Sequence, residues 1–426
     1  MSRFSCRPLG FLVTGFSWLL LAALAGFTIL IGWIHGTPLP SWLKLVHVHA
    51  ALIGGILQLM VGGLLASQSH SAQGDRTPSD SHLLLFVTLN AATAALLMGF
   101  GLGNMRIVGL AGIVVIGVAL SLASTAWQYT RQHRAEPASS SWLYRFSLLA
   151  LLAGLGLGDA MAFRFMPEFY AHARLLHLHI ILLGFVTLAI IGLTHRLLPI
   201  ILHAELYSPR LATLVMRLLP VGFAVLIGGF ITSSLQLELA VGGLLVISIG
   251  LYAYNLLRTW IGSGQRGNAA SDHLLVATFF LVLTMIMGVL IGANAFPQLP
   301  ILPFGSLHLA AYTHMALIGF ILQTVVGALS YGIPEMLATS RVPSKKKQGL
   351  YREQLTAIMN RWRTVQLTGL SLGTMSFGLL AAMTWNFSLT SLSIQIATWI
   401  TVGLLLGSLT LFTAKLAWVV RARPSN

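Results

Sequence analysis

Apolar runs and short polar breaks alternate along the whole chain, and the length of the runs is set by something about as thick as a membrane. Twelve apolar stretches lie near 10–34, 45–67, 83–103, 106–128, 143–163, 174–198, 211–231, 238–257, 274–294, 307–332, 365–385 and 394–418. Each holds about the 20 residues a helix needs to cross a hydrocarbon core of roughly 30 Å. The runs do not alternate residue by residue as the strands of an outer-membrane barrel would. Glycines recur inside them, as they do where membrane helices pack closely. The pattern predicts an all-α polytopic membrane protein of about twelve transmembrane helices, forming a single transmembrane domain over residues 1–426. The first run is long and lacks a small-residue cleavage site, so it reads as the first span rather than a leader.

Composition agrees. Of the 426 residues, 56% are hydrophobic and 8% charged, whereas about a quarter of a soluble domain is charged. The net charge of +15 does not imply a nucleic-acid partner, because the positive residues cluster on alternate loops. Arg3, Arg7, Arg76, Arg131, Arg134, Arg145, Arg196, Arg210, Arg258, Arg266, the basic run at 341–363, and Lys415, Arg421 and Arg423 in the tail fall on one side; Lys44, Arg106, Arg164 and Arg174 fall on the other. The positive-inside rule then predicts a bacterial inner (cytoplasmic) membrane protein with both termini cytoplasmic. The run at 341–363 reads as a loop beside anionic lipid. Cys6, the lone cysteine, excludes an intrachain disulfide and cysteine-held iron–sulfur clusters.

Three spans repeat one another: LVHVHAALIGGILQLMVGGLL from Leu45, LLHLHIILLGFVTLAIIGLTHRLLP from Leu175 and AYTHMALIGFILQTVVGALSYGIP from Ala311. Superposing His49, His179 and His314 also aligns Gly54, Gly184 and Gly319, and sets Pro199 on Pro334. One repeat therefore corresponds to four spans, which predicts three pseudo-symmetric four-helix units with the second, sixth and tenth spans in equivalent places. Intramembrane histidines are costly and usually face a bundle interior, so His47, His49, His177, His179 and His314 are functional candidates. Residues i and i+2 on a helix point about 200° apart. Each HxH helix thus offers imidazoles to two sides, and three such helices about an axis would flank three pores, an arrangement suited to porphyrins with axial imidazole ligands. The aligned glycines would admit either a flat macrocycle or a neighbouring helix. His70, His133 and His203 read as loop residues, and His82, His195 and His273 as interfacial.

The HxH motif with its following LG or IG, and the YGIP end of the tenth of twelve spans, resemble the catalytic subunit of the haem-copper oxidase superfamily, closest to cbb-type cytochrome oxidases and nitric oxide reductases. The resemblance implies a low-spin haem held by one histidine of the second span, His47 or His49, and by His314. Pseudo-symmetry favours His47, which leaves His49 to face His177 as a second bis-histidine pair. It also implies haem b (one or two), copper as a further cofactor, a periplasmic electron donor such as cytochrome c or a cupredoxin, other oxidase-type subunits and membrane lipid as partners, and no nucleic acid. Two departures stand out. The family's high-spin ligand position is Tyr312 here, and the seventh span has no histidine pair, so two of three copper ligands are missing. His179 stands for the remaining one. A replacement set of His172, His179, His308 and Tyr312 shares helical faces, and tyrosine is a known axial haem ligand.

The function expected from the resemblance is electron transfer with reduction of O2 or NO. One alternative is a non-catalytic haem or copper protein for nitric oxide binding, stress response or oxidase assembly; another is a secondary transporter that couples protons through its histidines. The inner halves of the spans show almost no acidic residue or lysine, so no proton-conducting chain is expected. Arg106, Arg164 and Arg174 are open to two readings, as partners of haem propionates or as juxtamembrane charges paired with Asp159 and Glu168.

Overall fold

The computed structural model describes residues 8–71, 80–132, 138–295 and 305–424, with side chains over 8–66, 82–128, 142–295 and 305–424. Arg3, Cys6, Arg7, Arg76, His133 and Arg134 lie outside the described residues, as do the side chains of His70 and Arg131. The described residues form helices joined by short connections and hold no strand. The helices are α1 Pro8–Ile34, α2 Trp42–Ala66, α3 His82–Gly101, α4 Met105–Gln128, α5 Trp142–Ala162, α6 Tyr170–Ile201, α7 Pro209–Thr232, α8 Leu235–Ser263, α9 Ala269–Ala293 and α10 Ser306–Arg341, then α11 Lys345–Asn360, α12 Arg363–Met383 and α13 Leu392–Arg421. All but α11 are long and apolar enough to cross a membrane. The protein is therefore an all-α, multi-pass membrane protein.

Two differences from the hydropathy pattern have local causes. Helices α6 and α10 run to 32 and 36 residues, because the polar residues at their ends, such as His172, Arg174 and Glu335, leave the apolar window without breaking the helix. The basic run at 341–363, expected as a loop, is instead mostly helical. α10 continues past Pro334 to Arg341, a short break at Pro343 follows, and α11 then lays Tyr351, Leu355 and Met359 inward along one face; their i, i+4, i+8 spacing makes that stripe.

The three repeated spans share a backbone irregularity. α2 is α-helical over Trp42–His49 and becomes a π-helix over Ala50–Leu57. α6 does the same over Tyr170–His179 and Ile180–Thr187, and α10 over Ser306–His314 and Met315–Leu322. Each π segment is eight residues long and starts on the residue after the second motif position. The Thr187 hydroxyl donates to the carbonyl of Leu182, five residues back, at 2.8 Å. π segments are rare, usually a single turn, and frequent at functional sites.

The chain divides into two compact units, Met1–Ala189 and Ile190–Asn426. In the first, α1 packs along the π segment of α2, α3 and α4 pack in series with α5, and α5 lies on the π segment of α6. In the second, α7, α8 and α9 follow in series, α9 lies along α10 and its π segment, α12 pairs with α13, and α11 is held by α10 and α13. Helices α7, α8, α9 and α13 start at side-chain caps, Ser208, Ser234, Asn268 and Ser391, each accepting from a backbone N–H of its helix's first turn.

Candidate functional site

The first motif position in each repeat is packed against the helix that precedes it. His47 holds its Nδ1 2.7 Å from the Ala22 carbonyl of α1, and a methyl group on Gly26 would come 2.7 Å from its Cε1. His177 repeats this on α5, with Nδ1 2.8 Å from the Gly154 carbonyl and Gly158 beside its ring. Tyr312 takes the same place on α9, where a methyl group on Gly288 would lie 2.6 Å from its hydroxyl. A small residue on the preceding helix is what lets each ring lie against the backbone.

The second motif position is tied to its own helix. His49, His179 and His314 hold Nδ1 at 2.8, 2.9 and 2.7 Å from the carbonyls of Leu45, Leu175 and Ala310, each four residues earlier. His49 also meets Phe100 of α3 in a tilted contact with centroids 4.7 Å apart, and His314 meets Phe377 of α12 edge-on at 5.2 Å. Within the first unit, His49 lies within electrostatic reach of His177.

One consequence covers all five imidazoles. A carbonyl only accepts, so each Nδ1 carries the proton and the lone pair sits on Nε2. That tautomer, with Nδ1–H held by a backbone carbonyl, is how ligating histidines are commonly oriented. The donor set therefore fits a group that takes axial imidazole nitrogen, haem iron among them.

Two of the three aligned glycines, Gly54 and Gly319, face a ring of the preceding helix. A methyl group on Gly54 would stand 2.6 Å from the Trp18 ring of α1, and one on Gly319 would stand 2.6 Å from the Phe280 ring of α9. Of the two uses open for these glycines, aromatic packing from the preceding helix is the one realised at both. Trp18 is held in turn by Asn90, whose Oδ1 accepts from its indole N–H at 2.9 Å.

The replacement set is split between the units. In the first, His172 is exposed in the first turn of α6 and His179 is half-buried. In the second, the Nε2 of His308 is buried and has no hydrogen-bond partner among the described residues, one turn before Tyr312. Among the described residues, no three His, Cys, Asp or Glu side chains come close enough to hold a metal ion.

His195 and His273, expected at the membrane interface, and Lys415, expected in the tail, are packed inside the protein. His195 is buried, its Nδ1 3.0 Å from the Ile191 carbonyl and its ring edge-on to Tyr252 at 5.1 Å. Next to it, the Thr194 hydroxyl and the Tyr252 hydroxyl are 2.6 Å apart. His273 is fully buried, and Lys415, expected in the tail, is buried inside α13. Asp159 packs on Gly112 of α4, and its Oδ2 is buried without a hydrogen-bond partner among the described residues. The loop assignment holds for His203, exposed at the end of α6.

No protein-family model and no curated protein matches the chain.

Proposed function

We propose that this is a haem-binding membrane protein of haem-copper-oxidase type, which carries electrons from a periplasmic donor such as cytochrome c or a cupredoxin and passes them to O2 or NO. The observation that carries the reading is the shared tautomer of His47, His49, His177, His179 and His314, each with Nδ1 tethered to a carbonyl. Five intramembrane imidazoles recur at repeated positions, and in each the tethered Nδ1 leaves Nε2 as the atom with the lone pair, the form in which imidazole ligates iron.

The assignment is His47 with His314 for one haem b, and His49 with His177 for a second. A bound haem would supply one-electron redox chemistry. The chain's own residues hold and orient it: the carbonyls of Ala22, Leu45, Gly154 and Ala310 fix the ring planes, while Phe100 and Phe377 cover His49 and His314 with apolar surface. His172, His179, His308 and Tyr312 are the candidates for a second metal centre, copper included; the buried, unpartnered Nε2 of His308 supports its place in that set. The distribution of basic residues supports a bacterial inner membrane with both termini cytoplasmic.

Pyridine haemochrome analysis of the purified protein, expressed with adequate haem, tests the reading, and absence of haem ends it. His314→Ala is expected to remove the bis-histidine contribution of the His47–His314 haem, leaving that of the His49–His177 pair, whereas His179→Ala leaves both intact. A second reading, a haem protein that binds a small ligand without turning it over, is favoured by Tyr312 at the high-spin ligand position and by α7, which carries no histidine. Consumption of O2 or NO with a reduced donor separates the two.

A further inference from the structure

Four helices of the second unit bring together a set of polar side chains that the motif histidines do not use. His273 of α9, Gln323 of α10, Gln366 of α12 and Lys415 of α13 are each no more than 3% exposed. Lys415 Nζ donates to Gln366 Oε1 at 2.6 Å and to the Met359 carbonyl at 3.1 Å. Gln366 Nε2 lies 3.3 Å from His273 Nε2, His273 Nδ1 contacts Gln323 Oε1, and Gln323 Nε2 donates to the Ser371 hydroxyl at 3.0 Å.

The chemistry of the donors fixes the direction of this chain. A charged lysine can only donate, so Gln366 must turn its oxygen to Lys415 and its NH2 to His273. His273 must then accept at Nε2, which puts its proton on Nδ1, and that proton goes to Gln323 Oε1. Gln323 is left to donate to Ser371. Every step from Lys415 to Ser371 follows from one charge at the lysine.

The reverse state is equally defined. If His273 carried the charge, Nε2–H would need an acceptor, Gln366 would have to rotate its amide by half a turn, and Lys415 would face an NH2 and have to accept. The two bases are linked through one amide that can serve only one cation at a time. Two cations joined by one uncharged side chain in a dry interior also repel each other with little screening.

The surrounding groups leave this choice intact. From α8, Tyr252 is engaged with Thr194. At the face where α13 ends, Asp272 is paired with Arg363 at 3.5 Å and Glu335 with Arg352 at 3.0 Å. Arg341 is spent on the Tyr351 hydroxyl and the carbonyls of Val420 and Ala422, and Arg361 stacks on Trp362 and Trp418. Asp272, next to His273 in the chain, thus already has a cation. It is also partly exposed, which places the chain within reach of water at that face.

We propose that His273 and Lys415 form a proton-binding site that holds one proton between them, with the Gln366 amide as the switch that decides which base carries it. The two bases and the Gln366 switch lie outside the three repeated segments, and the site's existence does not depend on haem.

Solid-state NMR of the full chain in liposomes, labelled with 15N-histidine and 13C,15N-lysine and taken through a pH series, reads both bases. The expected wild-type result is a His273 that stays neutral with its proton on Nδ1 wherever Lys415 is charged. Lys415→Met should let His273 titrate alone, with its midpoint raised by a unit or more. Gln366→Glu supplies a carboxylate that both cations can share, and His273 should then be an imidazolium at neutral pH. It is the second route if Lys415→Met does not assemble. Simultaneous charge on His273 and Lys415 in the wild type overturns the proposal, as does a His273 midpoint unmoved by Lys415→Met or by Gln366→Glu.

Discussion

The helix pairs α1/α2 and α9/α10 are built on one plan and filled with different chemistry. Gly26 stands to His47 as Gly288 stands to Tyr312, and Trp18 covers Gly54 as Phe280 covers Gly319. The same offset between α1 and α9 sets Phe11 opposite His273, and both are fully buried. On the other helix of each pair, the first residue after the π segment is Gln58 in one and Gln323 in the other. Gln323 has His273 and Ser371 as partners. Gln58 is equally buried, and neither atom of its amide has a partner among the described residues. A repeated backbone thus carries a repeated glutamine, but only the pair with histidine at the facing position satisfies it. The polar cost of a buried amide is set by its neighbours, not by its place in the repeat.

The comparison can be broken most forcefully by giving the third repeat the residue of the first. His273→Phe should leave the Gln323 oxygen and the Gln366 NH2 buried without partners, at about 1–3 kcal/mol for each group. The expected outcome is the largest loss of thermal stability of any change considered, measured in detergent by fluorescence-detected size exclusion. If stability is unchanged, the chain of hydrogen bonds does not hold α9, α10 and α12 together.

Substitutions at the shared glycines test the part of the plan that is equal. Gly54→Ala and Gly319→Ala each drive a methyl group into an aromatic ring, and overpacking of this kind costs about 1–3 kcal/mol. The two losses should match within error. A loss at only one position would show that the aromatic lid can move aside in that repeat.

Gln58→Leu and Gln323→Leu should differ in sign. Removing the unpartnered amide of Gln58 relieves a desolvation penalty on the order of 1–3 kcal/mol, and the second repeat already has Leu188 at the corresponding position. Stability should rise. At Gln323 the same change strands the His273 N–H, and stability should fall. The smallest effect belongs to Arg352→Ala, which breaks a largely exposed pair with Glu335 and should shift stability by less than about 1 kcal/mol.

Much of this molecule is legible in the sequence because the signals are local. A run of about 20 apolar residues must be a helix in lipid, where every backbone group needs an internal partner, so the twelve spans follow from hydropathy. The recurrence of HxH with a glycine five residues after the second position announces the repeat, and the three π segments fall on that same stretch. The pattern gave notice of a special segment there without its hydrogen-bond type, because an apolar run has no side-chain signature for i→i+5 bonding.

The rest depends on partners far apart in the chain. Hydropathy read His273 and His195 as interfacial because each lies near a helix end, and Lys415 as part of a basic tail because basic residues follow it. Burial is decided by what the neighbouring helices lay over those positions. His273, Gln323, Gln366 and Lys415 come from four helices and are separated by tens of residues, so no periodicity joins them. The sequence by itself determined the twelve spanning helices and the repeated histidine motif, since the spans rest on the free energy of placing apolar runs in lipid. Only the tertiary structure decided which carbonyl holds each imidazole, that the aligned glycines receive Trp18 and Phe280, and that one buried glutamine is bound while its counterpart is not, because those outcomes rest on contacts between helices that no single segment encodes.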